Sequence, residues 1–248
     1  MARILLEVCV DSPDGLAAAV AGGADRIELC SALALGGLTP SAGLMRQAAR
    51  CGLPVLAMIR PRPGGFAFGP REVEAMEAEV ALAREAGLAG VVIGASLACG
   101  RLDRATLARL LEAAQGLDVT LHRAFDLAPD LPEALEDAVA LGLTRVLTSG
   151  GAARAPEAAG PLSALLAQAG GRIAVMPGAG VTADTVGALL AAAPFAEVHA
   201  SCSEPVADDP RAVALGFAPA FRRETSPAEV RRLRATLDAA PALAGPRG

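Results

Sequence analysis

The amino-acid sequence predicts an α/β protein that folds as a single-domain TIM-type (β/α)8 barrel. The first observation is that eight short β-rich segments alternate with Ala- and Leu-rich segments of helical period. The second is that the β-rich segments begin about 27 residues apart, which is typical of βα units. The third is the length of 248 residues, which suits one barrel of about 250. A doubly wound open sheet is the alternative arrangement.

The predicted strands follow one another in regular order along the chain. They cover residues 4–10, 26–30, 54–60, 90–94, 118–122, 145–149, 172–176 and 197–201. Apolar residues at i, i+3 and i+4 spacing predict helices between them, for example at residues 71–86, 104–114 and 132–141. No linker divides the sequence, so we predict a barrel over residues 1–240 and a flexible C-terminal tail over residues 241–248.

The composition excludes several classes of function. All 22 basic residues are Arg, and a protein without Lys cannot form a Schiff base or use a Walker-type phosphate loop. The net charge of −5 and the lack of a basic, aromatic-rich run argue against nucleic acid as a partner. No apolar run reaches about 20 residues, so we expect no membrane association and a cytoplasmic location. The five Cys are scattered, which argues against a disulfide framework.

Strand alternation predicts which polar side chains point into the barrel. Apolar residues of the first two strands can face the helices, which leaves Glu7, Cys9, Asp11, Glu28 and Cys30 inward. The same rule turns Met58, Arg60, Thr120, His122, Ser149 and His199 inward. Most of these lie toward the carboxyl ends of their strands, where barrel active sites form. We expect the carboxylates of Glu7 and Glu28 to pair with Arg60 and a histidine. An ion-pair plug that only fills the barrel is the alternative.

Three loops at the same end of the predicted barrel are candidates for binding an anion. They follow the sixth, seventh and eighth strands, and the one after the seventh precedes a helix expected to start near Thr182. Glycine-rich turns at helix N-termini present free N–H groups to anions. The candidate anion-binding residues are Ser149, Gly150, Gly178, Ala179, Gly180 and Ser201. Tight βα turns alone would also account for the glycines.

Several short motifs of the sequence are distinctive in combination. They include Leu6-Glu-Val-Cys-Val-Asp-Ser, Gly22-Gly-Ala-Asp-Arg-Ile-Glu-Leu-Cys-Ser, Gly36-Gly-Leu-Thr-Pro-Ser, Met58-Ile-Arg-Pro-Arg, His122-Arg-Ala-Phe-Asp, Arg145-Val-Leu-Thr-Ser-Gly-Gly and Val175-Met-Pro-Gly-Ala-Gly-Val. In order, to about His199, they resemble the CutC copper homeostasis family. The resemblance implies a cytoplasmic TIM barrel, commonly oligomeric, that takes part in copper handling. It implies Cys9 and Cys30 as Cu(I) ligands. The sequence departs from the family pattern by gaining Cys202 and by having Leu56 where a histidine is frequent.

Two functions therefore stay open. In a copper protein, Cys9 and Cys30 lie at similar depth on adjacent strands, and Cu(I) prefers such thiolate ligands. In a lysine-independent enzyme, carboxylates and histidines carry out acid–base chemistry on a small phosphorylated or carboxylated metabolite. The candidate catalytic residues are Glu7, Glu28, Arg60, His122, Asp126 and His199. A divalent metal held by Glu7, Glu28 and His122 is a third possibility. In either case we expect a homodimer or a larger homo-oligomer.

Overall fold

Eight parallel strands form a nearly closed barrel in the computed structural model, which describes residues 3–240. The strands are β1 (Leu5–Val10), β2 (Arg26–Leu29), β3 (Val55–Met58), β4 (Gly90–Ile93), β5 (Asp118–Leu121), β6 (Arg145–Thr148), β7 (Ala174–Pro177) and β8 (Glu197–Ala200). Neighbours in the chain are hydrogen-bonded neighbours in the sheet from β1 to β7, and β8 pairs with β1. Strands β7 and β8 contact each other and complete the circle. This confirms the predicted TIM-type barrel.

Several strands end earlier than predicted on the side that carries the candidate site. Strand β3 ends at Met58, β5 at Leu121 and β6 at Thr148. Arg60, His122 and Ser149 therefore lie just beyond their strands, in the connections that form the mouth of the barrel.

Helices alternate with the strands and surround the barrel. They are α1 (Pro13–Gly22), α2 (Ala42–Ala48), α3 (Pro70–Glu85), α4 (Arg104–Ala113), α5 (Leu131–Ala140), α6 (Ala159–Ala169), α7 (Val186–Ala192), α8 (Pro210–Ala214) and α9 (Pro227–Asp238). Their starts follow from local chemistry, since the side chains of Ser12, Asp103 and Asp130 accept N–H groups of the first turns of α1, α4 and α5. Over residues 3–240, none of these helices has both the length and the apolar character needed to cross a membrane.

Apolar side chains form two separate cores. The larger core lies between the strands and the helices and contains residues such as Leu6, Ile27 and Phe125. The smaller core lies inside the barrel and consists of Cys30, Leu56, Met58 and Val92, with Leu33 packed against them. The polar side chains that occupy the rest of the barrel interior form the candidate site described below.

The chain leaves the barrel after β8, in an arrangement that the sequence pattern does not predict. Strand β9 (Ser203–Ala207) pairs antiparallel with β10 (Phe221–Thr225), and α8 lies in the connection between them. The chain then returns to pack α9 against α1. Gly22 permits this approach, because a Cβ there would lie only 2.4 Å from Cβ of Val230. The tail predicted for residues 241–248 lies outside the described residues.

Candidate functional site at the barrel mouth

A buried ion network crosses the lower part of the barrel interior, which is the part near the amino ends of the strands. Arg26 on β2 donates to Glu7 on β1 and to Glu197 on β8. Arg145 on β6 shares the same Glu197 and reaches Asp118 on β5, at 3.1 Å. The side chains of Glu7 and Arg26 are at most 5% exposed, so these pairs lie in a medium where an isolated charge is costly. Of the carboxylates predicted to form ion pairs inside the barrel, this network includes Glu7.

His199 lies on the network and connects it to the mouth. Its Nδ1 is 2.8 Å from Oε1 of Glu7, and Glu7 and His199 are register partners on β1 and β8. Burial by itself raises the pKa of Glu7, but the hydrogen bond with His199 and the charge of Arg26 outweigh burial and lower the pKa to about 2. Burial by itself lowers the pKa of His199, but Glu28, Cys9 and Glu7 raise it well above its usual value.

Above the network, three potential metal ligands converge. One donor atom each of Cys9, Glu28 and His199 lies within 4.8 Å of the others, and all three residues are buried. The register of β1 and β2 pairs Cys9 with Glu28. Cys30 lies two residues beyond Glu28, just past the end of β2, so it is nearer the mouth than Cys9 and not at the similar depth that we expected. The Cys30 thiol still adjoins the group, since its Sγ lies 3.6 Å from Oε2 of Glu28.

Glu28 differs from Glu7 in the direction of its pKa shift. Burial raises the pKa of Glu28; the charge of His199 opposes this shift, and the charge of Glu7 adds to it. The network below is already balanced, because its three carboxylates match two guanidinium groups and the His199 imidazolium. Glu28 therefore holds a proton more readily than an ordinary carboxyl group, and its Oε1 has no hydrogen-bond partner within residues 3–240.

Arg60 does not pair with the carboxylates, contrary to the sequence-based expectation. Its guanidinium donates to the backbone carbonyls of Leu35, Gly37 and Gly64, which belong to the loops after β2 and β3. The side chain also lies over the ring of Phe66, with Cζ 4.8 Å from the ring centre. The hydrogen bonds of the Arg60 guanidinium therefore go to loop carbonyls and not to Glu7 or Glu28.

His122 is a neutral imidazole at the carboxyl end of β5. Its Nδ1 accepts the N–H of Ala124, so its proton is on Nε2. Burial, assisted by the charge of Arg60, lowers the pKa of His122 to about 3. The ring lies across the end of β4, where a Cβ on Gly94 would be 2.2 Å from its Cε1. His122 is thus a hydrogen-bond donor rather than an acid–base group, and it is not part of the Cys9 group.

Asp126 organises the loop after β6. Its carboxylate accepts the N–H groups of Ser149 and Gly151 and the hydroxyl of Thr148, and it pairs with Arg123 at 2.8 Å. The carboxylate thereby occupies the N–H groups that the sequence pattern assigned to an external anion at this loop. Asp126 acts in the structure as a positioning residue for the loop.

The glycine-rich loop after β7 lies against His199. Gly178 has no room for a side chain, because a Cβ would be 3.2 Å from Cβ of His199 and 2.4 Å from Leu147. Ala179 and Gly180 follow with φ values of 72° and 74°, a left-handed conformation that is strained for Ala. Helix α7 begins at Val186 and not near Thr182 as predicted.

Two further candidate anion-binding residues lie in the neighbouring loops and have partners within the protein. The N–H of Gly150 donates to the hydroxyl of Thr148, and the Ser201 hydroxyl lies 3.0 Å from that of Ser203.

The comparisons with known proteins agree with the fold and identify the family. The CutC family model matches residues 4–204. The chain belongs to the CutC family. A CutC family protein of Sinorhizobium medicae is 59% identical over 98% of this chain and 100% of its own length. A crystal structure from Streptococcus agalactiae that carries the name copper homeostasis protein CutC superimposes with a TM-score of 0.76 at 33% identity, over 80% of this chain and 98% of that one. Thiamine phosphate pyrophosphorylase of Pyrococcus furiosus shares the fold at 13% identity, with a TM-score of 0.60 over 96% and 98% of the two chains.

Some residues of this CutC site were missed at the level of sequence. Arg26 is the most important, and its position two residues before Glu28 places it on the same face of β2, so strand alternation could have found it. Glu197 is likewise two residues before His199 on β8. Phe66 gave no such indication, because it lies in an irregular loop whose path the sequence pattern does not specify.

Proposed function

We propose that this CutC protein binds Cu(I) at the mouth of its barrel and takes part in copper handling in the cytoplasm. The observation that carries the proposal is the buried convergence of Cys9, Glu28 and His199. A thiolate and an imidazole are ligands that Cu(I) accepts, and the copper relation is the one that the family name and the S. agalactiae structure carry. In this function copper is the cargo of the protein.

The surroundings of His199 support the role of a metal ligand. A histidine that binds a metal through one ring nitrogen commonly donates its other N–H to a carboxylate, which fixes the ring. Glu7 takes this position at Nδ1, 2.8 Å away, and leaves Nε2 toward Cys9 and Glu28. Cys30 adjoins Glu28 and supplies a second thiolate to the same site. We therefore propose Cys9 and Cys30 as the thiolate ligands, joined by His199.

The proposal predicts that a serine at position 9 removes most of the affinity for Cu(I). In anaerobic competition with a chromophoric Cu(I) chelator, Cys9→Ser is expected to bind at least about 100-fold more weakly than the unmodified chain, because the soft ligand is lost. Cys30→Ser is expected to weaken binding as well. Cys51→Ser is the matched control, since Cys51 follows α2 at the opposite end of the barrel. Equal affinity of Cys9→Ser and Cys51→Ser would refute the site.

Assembly into a homodimer or larger oligomer is part of the proposal. The most exposed large apolar side chains of the described chain include Leu215, Phe217 and Phe221, with Phe217 at 83% exposure. All three belong to the segment between β8 and α9. Large exposed apolar side chains favour burial against a second chain.

A second candidate function rests on the protonated character of Glu28. A buried carboxyl group with a raised pKa, facing the mouth of a barrel, is suited to donate a proton to a small anionic metabolite. The His199 imidazolium, held by Glu7, is suited to donate a proton and take it back. This pair supports an isomerase, lyase or hydrolase chemistry that needs no lysine.

The enzyme hypothesis predicts a conversion that depends on Glu28. The unmodified chain, incubated with a metabolite mixture and followed by mass spectrometry, is expected to convert a carboxylated or phosphorylated compound. Glu28→Gln is expected to slow this conversion by about 100- to 10,000-fold, because the proton donor is lost. Glu79→Gln is the matched control, since Glu79 is on helix α3 outside the barrel. The hypothesis would be contradicted if Glu28→Gln and Glu79→Gln converted the compound at equal rates. It would also be contradicted if the unmodified chain converted nothing in the mixture.

A further inference from the structure

Three buried polar atoms without a partner lie at the mouth of the barrel. Within residues 3–240 they are Oε1 of Glu28, Nε of Arg60 and Nε2 of His122. Buried polar atoms in folded proteins nearly always have a hydrogen-bond partner, so each exception needs an explanation such as a ligand. Two of the three are N–H donors: Arg60 follows β3 and His122 follows β5.

The two donors surround a single aromatic ring. The centre of the Phe66 ring is 4.8 Å from Cζ of Arg60 and 4.8 Å from the centre of the His122 ring. Arg60 is 6% exposed and His122 is 3% exposed. Gly94 leaves the space into which the His122 ring turns toward β3. Arg60 and His122 thus present two N–H groups beneath one half-buried Phe side chain.

The charges at this place are not balanced by the protein. Arg60 donates to three carbonyl oxygens, and within the described chain it makes no ion pair with any carboxylate. A buried guanidinium without a counterion is unfavourable, and a single negative charge would compensate it. His122 adds no charge, because Nδ1 accepts from Ala124 and the ring stays neutral. A ligand with one negative charge and two hydrogen-bond acceptors would therefore satisfy both N–H groups and compensate Arg60.

We propose that the β3–β5 side of the mouth binds the carboxylate of a small organic acid, which accepts from Nε of Arg60 and Nε2 of His122. A carboxylate supplies one negative charge and two acceptor oxygens, whereas a phosphate brings more charge and more acceptors than the two donors can satisfy. The Phe66 ring covers both donors, so the ligand reaches them when this side chain turns outward and then packs against its apolar part. The proposal goes beyond copper binding and does not depend on it.

The test uses sodium glycolate as the probe and the full chain without copper. Thermal unfolding is compared in glycolate, chloride and phosphate at matched ionic strength. Glycolate is expected to raise the Tm by roughly 2–4 °C over chloride, because it binds only the folded chain. Because the chain has only two His, the Nε2–H of His122 can also be followed by NMR, and it is expected to shift as glycolate is added.

Four variants make the test specific. Arg60→Gln and His122→Phe are each expected to lose the Tm rise, and His122→Phe keeps the experiment valid if Arg60→Gln fails to fold. Arg109→Gln is the matched control and is expected to keep the rise, since Arg109 on α4 pairs with Glu77 on α3, outside the barrel. Cys9→Ser is expected to keep it too, which separates this site from the copper site. An equal rise in phosphate, no rise in glycolate, or a rise that survives His122→Phe would overturn the proposal.

Discussion

Replacing Arg26 with Gln is expected to lower the free energy of unfolding by about 3–5 kcal/mol, because it removes a buried cation that Glu7 and Glu197 share. Arg26 is the only bridge between Glu7 and Glu197 in the described network. Arg145 still compensates Glu197, but Glu7 keeps only His199. The loss is measured by equilibrium unfolding in urea, followed by circular dichroism.

The control for this prediction is an ion pair of the same kind at the surface. Arg172 pairs with Glu136 at 2.7 Å, and both side chains are close to half exposed. Arg172→Gln is expected to lower the free energy of unfolding far less than Arg26→Gln does, because water screens the surface pair and solvates Glu136 once Arg172 is replaced. Adding Glu7→Gln to Arg26→Gln is expected to restore part of the lost stability, since it removes the uncompensated charge. Similar losses in both single variants would show that burial of the network contributes nothing.

The network also explains which part of the site the sequence could predict. Alternation along a strand requires only the local pattern, and it correctly turned Glu7, Glu28 and His199 into the barrel. The length and spacing of the βα units similarly sufficed for the fold, because each unit packs its own helix on its own strand.

Pairings between strands could not be predicted in the same way. They depend on the stagger of neighbouring strands, which sets Cys9 level with Glu28 and Glu7 level with His199. The expected pairing with Arg60 was wrong for this reason: β3 ends at Met58, and Arg60 then turns toward loop carbonyls. The excursion of β9, α8 and β10 was missed because its strands are largely exposed and lack the apolar runs of the barrel strands.

The interior of the barrel is thus divided into two layers with different roles. The lower layer, from Glu7 to Asp118, is closed and charge-balanced, and its contribution is to stability. The upper layer contains Cys9, Glu28 and the two unpartnered donors near Phe66. His199 belongs to both layers, since it bonds Glu7 below and lies beside Cys9 and Glu28 above. Substitutions in the lower layer should therefore be assessed by stability, and those in the upper layer by binding.

His122 is expected to make the folded protein sensitive to acid. Burial and the charge of Arg60 lower its pKa to about 3 in the folded chain, against 6.5 for the ordinary side chain. Between these two values the unfolded chain binds a proton at His122 and the folded chain does not, so the free energy of unfolding falls as the pH falls. Each pH unit costs about 1.4 kcal/mol, which amounts to about 3 kcal/mol between pH 6.5 and pH 4.

The variant His122→Gln isolates this contribution, because the amide keeps an N–H donor and does not titrate. Relative to the unmodified chain, it is expected to gain about 3 kcal/mol on going from pH 6.5 to pH 4 in urea unfolding. His199 does not interfere, since both chains retain it, and its raised pKa stabilises the folded state at low pH and ceases to do so as the pH rises through the folded value. NMR is expected to show His122 still neutral near pH 5. A His122 ring that titrates close to 6.5 would mean that burial and Arg60 do not control it.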